Sequence, residues 1–228
     1  MNKVMFIGAH PDDVELGCGA TIYKYSQMNC EIAVLILAEG SSARYDNIIE
    51  NEDLIRDEVN ERKENCKKSL QNLGVKHFKF FDLPCGRLDT VPLLDINKII
   101  EKELGTFNPE TIFTHSEVDT NLDHRIIFES TKIATRPFAF PSIKEIYCYE
   151  VLSSTECSYT KVFKPNYFVS LDKQQVDKKI ESLNFYKSEM RDFPNPRSSE
   201  GIEILAKFRG MQIGKNYAES FEVLRSWS

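Results

Sequence analysis

The chain has 228 residues, with 29 lysines and arginines against 35 aspartates and glutamates and 41% hydrophobic residues. That is enough apolar material for one sizeable core, so residues 1–228 are expected to form a single α/β domain. The basic residues are scattered and form no stripe, which argues against a nucleic-acid or membrane-surface partner.

The first apolar run, residues 4–9, is too short for a secretory signal core and ends in charged residues. No run reaches the length of a membrane span, so a soluble cytoplasmic protein is expected. Residues 31–37 (EIAVLIL) form a second run rich in β-branched side chains, and both runs read as buried parallel strands. Residues 17–28 between them are long enough for a crossover helix, giving a right-handed strand–helix–strand unit. A long polar helix over 50–73 ends at Gly74 and leads to a strand at 77–81. Residues 93–104 are apolar at helical spacing and are closed by Gly105; a fourth strand follows at 110–114 and a helix at 123–135. This alternation predicts a mostly parallel sheet covered by helices on both faces. Further strands are expected at 143–151 and 167–171, and further helices at 173–190 and 199–209. The six cysteines (Cys18, Cys30, Cys66, Cys85, Cys148 and Cys157) include no close pair and read as reduced thiols.

Ligands of open parallel sheets bind beyond the carboxyl ends of the strands. Two dense polar clusters fall there: His10-Pro11-Asp12-Asp13 with Glu15 after the first strand, and His115, Glu117, Asp119, Asn121, Asp123, His124 and Arg125 after the fourth. If those strands are neighbours, imidazoles and carboxylates from two loops meet. That mixed donor set suits a borderline ion such as zinc, bound by three side chains with a position left for water. The plainer alternatives are local: Pro11 and the acids after it begin a helix, Asp123 caps the helix that carries His124, and Asp119 stabilises a turn. Glu39 to Ser42 and Arg87 to Asp89 end at the same edge, as sugar contacts or as ordinary loops.

The stretch GAHPDDVELGCG at residues 8–19 closely resembles the opening motif of the PIG-L (LmbE-like) deacetylase family. Asp119, Asp123 and His124 match its second motif, with Asn121 where many members have histidine. Arg62 and Glu64 lie in a helix that usually carries such a pair. Ser153-Ser154-Thr155-Glu156, Pro165-Asn166-Tyr167, Pro196-Arg197-Ser198, Arg209-Gly210 and Ala218-Glu219-Ser220-Phe221 extend the resemblance to one bacterial branch. Cys85 and Gly86 depart from that branch, which tends to have an acidic residue and asparagine there.

The resemblance implies a Rossmann-like fold with extra C-terminal strands and helices, one Zn2+ or another divalent cation such as Fe2+, and removal of acetate from an N-acetylglucosamine-type sugar. Carried over, His10, Asp13 and His124 match the metal ligands, Asp12 the general base acting on water, and Arg62 a substrate-binding position. Asn121 is expected to hold the oxyanion as a neutral dipole, with Asp123 or Asp119 behind His124. Asp119 and Arg87 are further candidates for substrate contact. Related enzymes are often oligomers, so a homo-oligomer is expected. The competing readings are an amidase on a thiol or other acylated-amine conjugate, and a silent sugar- or nucleotide-binding module. A dinucleotide-binding enzyme is disfavoured, because Gly8, Gly17 and Gly19 are wrongly spaced and carboxylates stand where phosphates would sit.

Overall fold

The computed structural model describes residues 3–228. In chain order its elements are β1 (Lys3–Gly8), α1 (Asp13–Gln27), β2 (Glu31–Ala38), α2 (Glu52–Asn72), β3 (His77–Leu83), α3 (Leu93–Phe107), β4 (Thr111–His115) and α4 (Leu122–Ala134). They are followed by β5 (Glu145–Tyr149), β6 (Tyr167–Leu171), α5 (Lys173–Leu183), α6 (Ser199–Met211) and β7 (Tyr217–Ser226). One seven-stranded sheet runs in the order β3-β2-β1-β4-β5-β7-β6. Only β7 is antiparallel to its neighbours, so six strands point the same way and the sheet is mostly parallel.

The apolar runs of β1 and β2 are continuous because both faces of these strands are covered. Along β1, Val4 and Phe6 join the core packed by α1, α2 and α5, while Met5 and Ile7 join the core packed by α3 and α4. β3, at the sheet edge, shows instead an alternation of exposed and half-buried positions. In α2 the buried residues Ile55, Arg62, Cys66, Ser69 and Leu70 recur at helical spacing, so one narrow stripe seats an otherwise polar helix. Gly17 lets α1 approach β5: a methyl group there would stand 2.3 Å from the Tyr149 ring, which is fully buried.

In the last third of the chain the structure departs from expectation at two places. The helix predicted over 173–190 stops at Leu183, because the chain turns to bury Tyr186, whose hydroxyl donates to Glu15 at 2.6 Å. β7 has no counterpart in the sequence reading. Three of its four fully buried residues, Ala218, Glu219 and Ser220, are small or polar, and only Phe221 is a large apolar side chain. Its burial is ionic as well as apolar: Lys179 donates to Glu219 at 2.7 Å, and Glu219 also accepts from the Thr21 N–H of α1. Among the described residues the six cysteines form no disulfide.

Candidate metal centre

β1 pairs in parallel with β4, so the loops leaving these two strands lie side by side. The turn after β1 is fixed by the His10 N–H, which donates to Asp13 Oδ2 at 2.7 Å. Asp12 precedes α1 with φ 107°, a left-handed conformation uncommon for a residue with a Cβ, and its carboxylate makes no capping bond. After β4, Asn121 Oδ1 accepts from the Asp123 N–H at 2.9 Å and caps α4, which fixes His124 in the first turn.

The imidazole centroids of His10 and His124 lie 5.4 Å apart. Asp13 Oδ2 stands 3.3 Å from His10 Nδ1 and 3.2 Å from His124 Nε2. Donors bound tetrahedrally at about 2.0–2.2 Å would be separated by roughly 3.3–3.6 Å; both separations from Asp13 come close to this, and all three donors fall within 4.8 Å of one another. Among the described residues neither ring nitrogen of buried His124 makes a well-aligned hydrogen bond; Nδ1 faces Asp119, and Nε2 faces only the Asp13 oxygen with which it would share a cation.

Each imidazole is backed by an acid. His10 Nε2–H donates to Asp123 Oδ2 at 2.9 Å, and His124 Nδ1 lies 3.1 Å from Asp119 Oδ2. Asp123 is held in turn by the Gly86 and Leu88 N–H groups, and Asp119 by Ser154 Oγ and by Thr155 Oγ1 at 2.6 Å. Paired in this way, carboxylates fix ring orientation and raise ligand basicity. Burial disfavours charge on His124, yet Asp13 and Asp119 outweigh it and raise its pKa to about 9, a measure of the negative field a cation would meet. His115 stacks on His124 with centroids 3.9 Å apart; its Nε2 accepts from the Ala9 N–H, and burial lowers its pKa to about 4.

A pocket of about 420 Å³ opens over the trio. Asp12 sits at its floor with Oδ2 3.2 Å from Arg62 and 2.9 Å from Arg197. Burial pushes the Asp12 carboxyl above its ordinary range, against the pull of Arg197 and Arg62. Arg62 also donates to the Gly40 carbonyl and, at 2.8 Å, to that of Pro11. Gly40 has φ 86° and presses against Pro11 and Arg62, so only glycine suits that turn. Glu189 ties the arginines together, at 2.5 Å from Arg44 and 3.3 Å from Arg197.

Of the residues singled out in the sequence, His10, Asp12, Asp13, Arg62, Asn121 and His124 line this pocket. Asp119 and Asp123 are buried behind the imidazoles, and Arg87 is absent from the lining. Glu39 is spent on its own loop, accepting from the Ser41, Ser42 and Cys85 N–H groups. Arg44, Cys85, Ser153, Ser154, Glu189 and Arg197 also line the pocket without having been read as site residues. Ser153, Ser154 and Arg197 stand within stretches that resemble the family, but nothing in their local spacing signals chemistry.

Residues 5–135 match the PIG-L family, described as GlcNAc-PI de-N-acetylase. An uncharacterized deacetylase from Escherichia coli K12, YaiS, is 28% identical over 189 residues, covering 81% of this chain and 90% of its own. The diacetylchitobiose deacetylase of Thermococcus kodakarensis is 24% identical over 226 residues, covering 96% of this chain and 82% of its own. Among solved structures, the 4-carboxy-2-hydroxymuconate hydratase GalB of Pseudomonas putida KT2440 matches with a TM-score of 0.74 at 20% identity, covering 100% of this chain and 98% of its own. One fold therefore carries both deacetylase and hydratase names, and the reaction must be argued from the site.

Proposed function

We propose, since this chain belongs to the PIG-L family, that it is a metal-dependent de-N-acetylase acting on an N-acetylated sugar or sugar-linked substrate and giving acetate and a free amine. The observation that carries this reading is the convergence of His10 Nδ1, Asp13 Oδ2 and His124 Nε2 at the floor of an open pocket, with the Asp12 carboxylate beside them. The deacetylase names of the relatives support it.

His10, Asp13 and His124 would hold a divalent ion, zinc or iron(II) by donor type, which when bound acidifies water and polarises the acetyl carbonyl. Asp12 accepts the proton of the attacking water and later delivers it to the departing amine nitrogen, so one carboxylate serves as base and then acid. Asn121 uses its Oδ1 to cap α4, which leaves its Nδ2–H groups to donate to the developing oxyanion. Asp123 and Asp119 act through His10 and His124, keeping both rings aimed at the ion. The pocket volume lies in the range of small-molecule sites, and sugar hydroxyls would meet Arg44, Thr120 and Ser153 on its wall, while Arg62 would act on the substrate through Asp12.

The test is acetate release from a panel of free and nucleotide-linked N-acetylhexosamines, using chelator-treated enzyme with and without added zinc. Turnover that requires the ion supports the reading; full turnover without it overturns the metal role. Bound ion and bound sugar with no turnover on any member would favour a silent binding module.

A further inference from the structure

Arg197 reaches the pocket from the segment that joins α5 to α6, far in sequence from the residues around the trio. Its NH1 donates to Asp12 Oδ2 at 2.9 Å and to Glu189 Oε2 at 3.3 Å, while its Nε donates to Ser153 Oγ at 2.6 Å. Arg62 donates to the same Asp12 oxygen at 3.2 Å from the opposite side of the chain, out of α2. One N–H from each of two guanidinium groups thus reaches Oδ2 of a single buried carboxylate, and Glu189 lies 3.3 Å from Arg197 and 3.8 Å from Arg62.

A carboxylate has two oxygens, and a proton shuttle needs one that is free to exchange and one that is held. We propose that Arg197 is a positioning residue that, together with Arg62, anchors Oδ2 of Asp12 so that Oδ1 is presented to the reacting water and amine. The proposal rests on Asp12 being the general base, as argued above. Asp12 needs such an anchor because its side chain makes no capping bond to α1 and its backbone sits in the left-handed region, so neither local hydrogen bonding nor ordinary helix geometry sets its direction. Arginine suits the task because its fixed fork engages Asp12, Glu189 and Ser153 at once; a lysine ammonium at the same place would reach Asp12 without fixing its plane. Ser153, itself at φ 71°, orients the guanidinium, and the neighbouring Ser154 and Thr155 hold Asp119 behind His124. One short loop therefore positions the base from one side and a metal-side imidazole from the other.

The experiment compares wild type, Arg197→Ala, Arg197→Lys, Asp12→Asn and the double variant Asp12→Asn/Arg197→Ala. N,N′-diacetylchitobiose and UDP-N-acetylglucosamine are the probes, metal content is measured throughout, and wild type and Arg197→Ala are crystallised. Misorienting a reacting group by about 1 Å costs on the order of a hundredfold, so Arg197→Ala is expected to lose about that much kcat. Its KM should stay within roughly threefold and its metal content should be unchanged. Arg197→Lys should retain more turnover than Arg197→Ala, and added guanidinium should restore part of the loss in Arg197→Ala. Because Arg197 acts through Asp12, the double variant should be no slower than Asp12→Asn. Wild-type kcat in Arg197→Ala, a loss confined to KM, or losses that multiply in the double variant would overturn the proposal. If neither probe is turned over, the functional reading fails for them. The crystal structures then decide the positioning role by themselves: an Asp12 side chain that keeps its orientation without Arg197 overturns it, and one that rotates or splits supports it.

Discussion

Residues 10–13 and 119–124 hang from two adjacent parallel strands, β1 and β4, and carry their chemistry within a few positions of a strand end. Residues 153–155 and 189–197 reach the same pocket from loops attached to β5, α5 and α6, and touch it through side chains that hold the first group in place. The first region supplies the atoms that would meet an ion and a substrate; the second supplies hydrogen bonds to the groups that aim those atoms. Damage to the first should therefore remove chemistry or metal outright, while damage to the second should leave the parts present but misdirected.

The sharpest way to break that contrast is at the ion itself. Alanine at His10 or His124 is expected to abolish both metal retention, measured by elemental analysis of the purified protein, and acetate release; an active, metal-free His124→Ala would end the comparison. Asp12→Asn should keep the metal and lose kcat by about 10²–10⁴-fold, the usual worth of a positioned acid–base group, in a steady-state acetate assay. Asn121→Ala should cost about 10²–10³-fold in kcat if its amide meets the oxyanion. Asn121→Asp separates two duties, since it keeps a capping oxygen but loses the amide donor: the same kinetic loss with an unchanged melting temperature is expected. Asp119→Asn and Asp123→Asn lie in the first region but touch the imidazoles and not the ion position, so they should weaken metal affinity by about 10–100-fold, read by competition with a metallochromic chelator. The smallest effect is the stability cost of Asn121→Ala as a lost helix cap, about 1 kcal/mol by thermal or denaturant unfolding.

Legibility in the sequence follows the same division. β1 and β2 are visible because strands buried on both faces need unbroken apolar runs, and the clusters after β1 and β4 could be assigned to one edge because parallel connections fix which end of each strand faces the ligand. The first helix was expected from residue 17 and starts at Asp13, because Asp12 adopts a left-handed turn that brings the helix directly out of the strand loop. The choice between Asp119 and Asp123 behind His124 had no local signal. The fold divides them, with Asp123 against His10 and Asp119 against His124. Arg197 was legible only as part of a family-like stretch and Glu189 not at all, because the helix expected over 173–190 would have placed Glu189 on its last turn; the chain instead leaves α5 at Leu183 to seat Tyr186, and the segment that follows carries Arg197 to Asp12 and Glu189 to the arginines. Where burial is shared between ionic and apolar side chains, as in β7, the hydrophobic pattern falls silent.

β7 comes last in the chain yet lies inside the sheet, hydrogen-bonded to β5 on one side and β6 on the other. Until those ten residues have left the ribosome, β6 has no partner strand to join. The parallel half, β3-β2-β1-β4-β5, is fully synthesised once the chain reaches Tyr149, but the far side of the sheet waits for residue 226. A growing chain would thus own the loops after β1 and β4 well before α6 finds β7, the strand against which it packs, and premature termination there would leave β6 without its neighbour.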